Sequence, residues 1–271
     1  KDHISQIFTR VASTYDQVGF RFFSYFGNRL VELTEIPQSA KVLDVATGRG
    51  ASLFPAIKRV GSEGSVVGID IAEGMVKETE MEIMNRNISN VKLVLMDAEN
   101  LTYQDNTFDC VLCGLSIFFF PHYDFAIREA LRVLKPGGRI GISTFFRKSH
   151  DELKWLWPLL QKYVSSMKEE KKSEKDTEGP EFDTVEGMQK ILTKAGYKDF
   201  HYEIEEKIFV CRNAEEFWEF LWSIYTRDTL EKIPSSRLVE LKEEIKRNFN
   251  EHSHDNVLYN TVRVLFTFGR K

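Results

Sequence analysis

Only three of the 271 residues are cysteine. An odd, small number builds no complete disulfide framework and suits a reducing compartment. Cys110 and Cys113 form a C-x-x-C pair, but inside the apolar run 108–120, which reads as a strand. Three residues apart on a strand, the two sulfurs point to opposite faces, so core packing is expected and not redox or metal chemistry. The six histidines make no zinc signature, and His252-Ser-His254 is too sparse to start one, so no metal is expected. No apolar run reaches the length of a membrane span, and Lys1-Asp-His-Ile-Ser reads as no signal peptide. A cytoplasmic protein with no membrane partner is the expectation; the first residue is not Met, so others can precede this numbering. Basic charge is also in short supply: 37 Lys and Arg against 41 Asp and Glu leave a net charge of −4. Without a basic patch, a nucleic-acid partner is not expected.

What is present is an ordinary globular composition, 42% hydrophobic and 29% charged. The length suits one large α/β domain, or a core with an elaboration. Residues 3 to about 36 look helical, with Ile4, Ile7, Phe8 and Val11 at helical spacing and a break at 15–19. An aromatic-rich helix follows, carrying Phe20, Phe22, Phe23, Tyr25 and Phe26. Strands and helices then alternate: strands at 41–46, 65–70, 91–96 and 108–113, helices at 50–60, 73–86 and 122–134. Pro136-Gly137-Gly138 reads as a tight turn into a fifth strand, 139–145. This rhythm means a parallel sheet covered on both faces.

Beyond Phe146 the rhythm changes. A helix over 149–167 holds Trp155 and Trp157, and the Lys- and Glu-rich stretch 167–183 reads as a helix end and mobile loop. A helix at 184–195 and an extended segment at 199–211 follow. Asn213 and Glu216 have capping-box spacing and open helices at 214–232 and 236–250 before a closing strand at 256–269. The expected class is therefore α/β, a Rossmann-like, doubly wound, seven-stranded, mostly parallel sheet with helices on both faces and a helical lid. Four segments are expected: 1–36 covering the active site, 37–146 as the core, 147–183 as a helical insertion with the charged loop, and 184–271 as the rest of the core with a lid at 213–250.

The chemistry concentrates in Lys41-Val-Leu-Asp-Val-Ala-Thr-Gly-Arg-Gly50, an apolar strand with an acid that opens into a glycine turn. The next strand, Val66-Val-Gly-Ile-Asp70, ends in a second acid. A strand, glycine turn, helix, strand and acid in that order suit an adenosine cofactor: the turn admits the ligand to the main chain and the distal carboxylate takes the ribose hydroxyls. Asp44 stands at the strand mouth, where a pyrophosphate would meet a carboxylate in a partly dry cleft. Such like charges repel by several kcal/mol. The third glycine of the dinucleotide pattern is also missing from Gly48-Arg-Gly50-Ala-Ser-Leu53. A cofactor bearing an ammonium and a sulfonium, S-adenosylmethionine, fits better than NAD. Asp44 as a mere strand-end acid and Asp70 as a turn residue remain the plain alternatives.

With these motifs the chain resembles the class I S-adenosylmethionine-dependent methyltransferases, in the style of the ubiquinone/menaquinone-biosynthesis branch (methyltransferase type 11). The resemblance is carried by Phe8-x-x-Val-Ala-x-x-Tyr-Asp16, Val42 to Gly50, Val67 to Met75, Met96-Asp-Ala98, Phe108 to Leu112 and Arg132-Val-Leu-Lys-Pro-Gly-Gly138, in the family's order. It covers most of 5–146 and the 184–196 helix. The resemblance implies that Ala46, Thr47, Gly48 and Gly50 line the cofactor's methionine part and that Asp44 helps hold its ammonium. It implies Asp70, with Ile71 beside it, for the ribose and Met75 for the adenine face. Asp97 would take the adenine amine, the Ala98 N–H a ring nitrogen, and Gly114 and Leu115 would sit at the methionine end. Tyr15 would fold over the cofactor, with ordinary core packing as its alternative. Ala46 departs from the commonest glycine pattern.

The expected reaction is metal-free, in-line methyl transfer to the oxygen, carbon or nitrogen of a small hydrophobic or aromatic metabolite, governed by positioning. His122, just after strand four, is the first candidate base, with Tyr15, Tyr123 and His150 behind it. The aromatic run Phe217, Trp218, Phe220, Trp222 and Tyr225 divides between lining an acceptor pocket and anchoring the lid or a dimer contact. A monomer or homodimer is expected. The alternatives are a non-methylating cyclisation on the same fold, or a non-catalytic interaction protein.

Overall fold

The computed structural model describes residues 1–165 and 181–271. Most of the charged stretch expected over 167–183, and the end of the helix expected over 149–167, lie outside the described residues. Helix α1 (Asp2–Val11) buries Ile7 and Val11, one turn apart, and carries Asp2 in its first turn and Arg10 in its last. Helix α2 (Phe23–Thr34) follows a turn, and Asp16 accepts the backbone N–H groups of Phe23 and Ser24 at its start. Those are two of the donors a helix N-terminus leaves unpaired.

The alternating segment then folds as β1 (Lys41–Val45), α3 (Leu53–Val60), β2 (Ser65–Asp70), α4 (Glu73–Asn85), β3 (Val91–Leu95), β4 (Phe108–Gly114), α5 (Tyr123–Val133) and β5 (Leu134–Phe145). After them come α6 (Leu156–Ser165), α7 (Val185–Ala195), β6 (Lys198–Cys211), α8 (Ala214–Ser223), α9 (Arg227–Leu230), α10 (Ser235–His252) and β7 (Leu258–Arg270). The seven strands lie in the order 3-2-1-4-5-7-6, with β7 antiparallel to both β5 and β6. The expected doubly wound, mostly parallel sheet with helices on both faces is present. Its strand order reverses between β1 and β4, so the carboxyl ends of these two strands flank the crevice where such sheets take ligands.

Alternation along the buried strands splits the core in two. Val42, Val66, Cys110 and Leu112 face the layer of α2 and α3, while Leu43, Val67, Val111 and Cys113 face the opposite layer. The two cysteines are thus buried on opposite faces of the sheet, as their spacing requires.

Three local readings change. Pro136-Gly137-Gly138 is not a turn ahead of the strand but an irregularity inside β5: Phe108 pairs with Leu134 and Cys110 with Arg139, so five residues of β5 run past two of β4. Gly137, at φ 77°, supplies the left-handed step. The helix expected over 214–232 is two helices. The Ser223 hydroxyl donates to the Phe220 carbonyl and the Thr226 hydroxyl to the Leu221 carbonyl, ending α8, and Ile224 is extended. Finally, the lid aromatics face the protein's own core. Phe217 and Phe220 pack on Phe20 at ring distances of 6.1 and 5.2 Å, and Phe217 on Trp155 and Phe249. Trp218 and Trp222 meet edge to face at 6.0 Å. The anchoring alternative describes this cluster.

Phe217 is fully buried at the centre of that cluster. Phe217→Ala is expected to cost about 3–5 kcal/mol, the range for a truncated core aromatic. Urea unfolding followed by tryptophan fluorescence reads it.

Candidate functional site

A cavity of about 520 Å³ opens where β1, β2 and β4 end. Its floor is the β1–α3 turn. Ala46, Gly48 and Gly50 all adopt positive φ, at 52°, 52° and 81°. A Cβ on Gly50 would stand 2.6 Å from the Phe54 ring, so that position has room only for glycine. Ala46 keeps a side chain in left-handed backbone, a conformation that costs an L-residue roughly 1–2 kcal/mol.

Two buried carboxylates hold this turn. Asp70, at the end of β2, accepts the Gly48 N–H at 2.8 Å and the Ala72 N–H at 2.9 Å. Asp44, in β1, accepts the Thr47 hydroxyl at 2.5 Å and the Ser52 hydroxyl at 2.6 Å. Burial pushes the Asp44 carboxyl up to about 6 against these two hydrogen bonds, with the Asp70 charge pushing the same way. Burial raises Asp70 as well, opposed by its N–H partners. Desolvated acids at the end of a strand favour a ligand that brings positive charge.

Of the residues singled out in the sequence, Ala46, Thr47, Gly48, Gly50, Asp70, Ile71, Met75, Asp97, Ala98, Gly114 and Leu115 all line the cavity. Asp44 does not. It lies one layer beneath, fully buried, and reaches the wall only through the hydroxyls of Thr47 and Ser52. Asp44 therefore offers a ligand no atom on the cavity wall. Met75 packs with Val11, Ala12 and Ala72 under the cover of α1. Asp97 bonds the Glu99 N–H at 2.9 Å and the Lys1 ammonium at 2.6 Å. Leu115 sits at φ 46°, with its N–H on the carbonyl and hydroxyl of Ser143.

The proposed bases fare differently. His122 is exposed at the start of α5, its ring 5.6 Å from Phe125 and off the cavity wall. The short helical turn at 117–119 directs Phe119 and Phe120 into the cavity instead. Tyr15 does line it, tilted on Phe23 at 4.7 Å. Burial, with Asp16 and Asp70 adding to it, raises its phenol well above the ordinary value, so it is a neutral wall and not a base. Tyr123 packs on Phe182. His150 lies behind the wall, between Phe22 and Phe145 and paired with Asn260; burial lowers its pKa. Among the described residues, no three His, Cys, Asp or Glu side chains converge as a metal-ligand set.

Sequence reasoning missed part of the wall: Arg21, Ser24 and Asn28 around the start of α2, Ser116 after β4 and Ser143 near the end of β5. For Ser143, a polar residue near the carboxyl end of a parallel strand was the available signal. Nothing in the local pattern marks Arg21 or Asn28.

Comparison with known proteins follows the same lines. The pattern of the ubiE/COQ5 methyltransferase family matches residues 1–211. Aklanonic acid methyltransferase DauC of Streptomyces sp. strain C5 is 41% identical over 144 residues, 53% of this chain and 66% of that protein. Ubiquinone/menaquinone biosynthesis C-methyltransferase UbiE of Pseudomonas paraeruginosa strain PA7 is 31% identical over 217 residues, covering 73% of this chain and 82% of that one. The solved structure of a putative methyltransferase from Bacillus halodurans superposes with a TM-score of 0.57 at 21% identity, over 90% of this chain and 98% of that one, and shares the fold.

The raised Asp44 pKa has a consequence for stability. An acid whose folded pKa lies above its unfolded one favours the folded state fully below the unfolded pKa and loses that contribution as pH rises. For a shift from 3.8 to about 6 the contribution is about 3 kcal/mol. The stability of the ligand-free protein relative to its Asp44→Asn variant is expected to rise as pH falls from 7.5 to 4. Denaturant unfolding of both proteins across that range checks the sign.

Proposed function

This chain belongs to the ubiE/COQ5 methyltransferase family, and from that premise we propose that it transfers a methyl group from S-adenosylmethionine to a small, largely hydrophobic or aromatic metabolite. One observation carries the reading. The cavity at the sheet's switch point joins an acid-held glycine turn to a wall made of Phe23, Phe119 and Leu115. The first half suits a cationic adenosine ligand and the second an apolar acceptor. Relatives named for aklanonic acid and for ubiquinone and menaquinone biosynthesis support an aromatic acceptor.

In this reading Asp70 takes the ribose hydroxyls on lone pairs left free by Gly48 and Ala72. Met75 and Ile71 pack on the adenine, and Asp97 with the Ala98 N–H reads its polar edge. Ala46, Thr47, Gly48, Gly50, Gly114 and Leu115 enclose the amino-acid end, and the charge of Asp44 acts on it from one layer below. The bound cofactor supplies an electrophilic methyl on a sulfonium. The chain's own residues then do three things. The glycine turn and Leu115 fix the methyl's direction, the aromatic wall sets the acceptor against it, and α1, with Phe8 and Tyr15, keeps water out. Holding reactants in line at the right separation removes roughly 7–11 kcal/mol of barrier without any proton transfer.

The test is product analysis with hydroxylated naphthoquinones and anthraquinones as acceptors. Formation of S-adenosylhomocysteine in step with methylated product is expected. A substrate converted while S-adenosylmethionine stays intact would replace methyl transfer with a cyclisation on the same fold. His122→Ala is expected to keep turnover within about twofold with an unchanged pH profile, since loss of a working general base costs roughly 100-fold or more.

A further inference from the structure

Among the described residues four cationic side chains stand on the cavity wall: Lys1, Arg21, Arg49 and Arg86. Three are engaged. Lys1 pairs with Asp97 and Glu99. Arg49 donates to the Ala12 carbonyl at 2.6 Å and faces Glu78 and Glu82. Arg86 pairs with Glu82 and lies over the Phe54 ring at 4.3 Å. Arg21 has neither a hydrogen bond nor an ion pair to a described residue. The acid that feels its charge, Asp16, spends both oxygens on the start of α2 and the Ser24 hydroxyl.

The backbone pins Arg21 where it is. Phe20 and Phe22 on either side are 2% and 3% exposed, plugged into the lid aromatics and Phe145. Arg21 itself is held at φ 46°, left-handed backbone that a non-glycine residue adopts at a cost. An unpaired guanidinium in strained backbone at the mouth of a cavity otherwise rich in buried carboxylates has a fork of donors to offer. That fork matches a carboxylate in two-point fashion.

We propose that Arg21 is the carboxylate receptor of this cavity, taking the α-carboxylate of the cofactor's amino-acid end or a carboxylate on the acceptor. The cofactor arm rests on the methyltransferase reading. An amino-acid ligand entering next to Asp16, Asp44 and Asp70 has its ammonium favoured and its carboxylate opposed, and Arg21 removes the opposition.

Calorimetry on the full chain separates the sources, using three probes. S-adenosylhomocysteine carries the amino-acid carboxylate, and 5′-methylthioadenosine is the same thioether without it. 2-Naphthoate, against 2-naphthamide, probes the acceptor side of protein saturated with S-adenosylhomocysteine. Arg21→Gln is expected to weaken S-adenosylhomocysteine roughly tenfold or more and leave methylthioadenosine within about twofold, with Arg21→Lys restoring part of the loss. Loss of the naphthoate preference in place of the homocysteine effect assigns the same receptor to the acceptor. Unchanged binding of both carboxylates overturns the proposal, and so does equal weakening of methylthioadenosine, which means a distorted cavity. Wild-type protein that binds no S-adenosylhomocysteine overturns this proposal and the methyltransferase reading together.

Discussion

The hydrogen bond from the Gly48 N–H to the buried Asp70 carboxylate is the contact on which the rest of the site depends. It ties the first glycine of the β1–α3 turn to the end of β2, so the turn that floors the cavity and the neighbouring strand end cannot move independently. The second oxygen of Asp70 takes the Ala72 N–H and starts α4, and Thr79 in α4 returns a hydroxyl to the Gly48 carbonyl. One desolvated charge thereby orients a turn, a helix start and an open acceptor surface at once. Burying that charge is costly unless hydrogen bonds to it compensate, and the two N–H donors do so only in part, as the raised pKa records. Lone pairs of that carboxylate remain for further hydrogen-bond donors at the cavity wall.

Much of this was legible in the chain because two adjacent parallel strands, Val42–Val45 and Val66–Ile69, are buried on both faces and read as apolar runs, the first interrupted only by Asp44 and the second only by Gly68. Glycines in the turn directly after the first run then mark a strand end where a ligand approaches the backbone. Asp44 shows where that reasoning stops. Its position in sequence places it at the strand mouth, but strand alternation and the hydroxyls of Thr47 and Ser52 put it under the floor and not on it. His122 fails for a similar reason: the short turn at 117–119 adds a rotation that linear spacing does not record, and phenylalanines take the inward positions. The α8–α9 break rests on two hydroxyls bonding back to carbonyls, a competition that apolar periodicity does not contain. Arg21 was invisible because its meaning comes from the lack of a partner among the described residues, and only the folded chain shows which cations are already paired.

The cover of the cavity comes from α1 and the turn after it, through Lys1, Ile4, Phe8 and Tyr15, while the later helices pack elsewhere. Helices α8 and α10 bury Phe217, Phe220, Leu221, Leu241, Ile245 and Phe249 in the main core. Helix α1 contributes Val11, with Ala12 just past its end, to a small cluster with Ala72 and Met75. Its ties to α9 are polar: His3 to Asp228 at 3.1 Å, Arg10 to Glu231 at 2.8 Å, and Arg227 to the Arg10 carbonyl at 2.8 Å. Half-exposed ion pairs of this kind are worth about 0–1 kcal/mol each, whereas a single buried aromatic of the lid is worth several. What holds α1 down is therefore mainly its own buried face, Ile7 and Val11, rather than these polar ties. Phe8 and Tyr15 thus reach the cavity from α1 and the turn after it, whereas Leu115, Ser143 and Phe119 reach it from the sheet and the segment after β4.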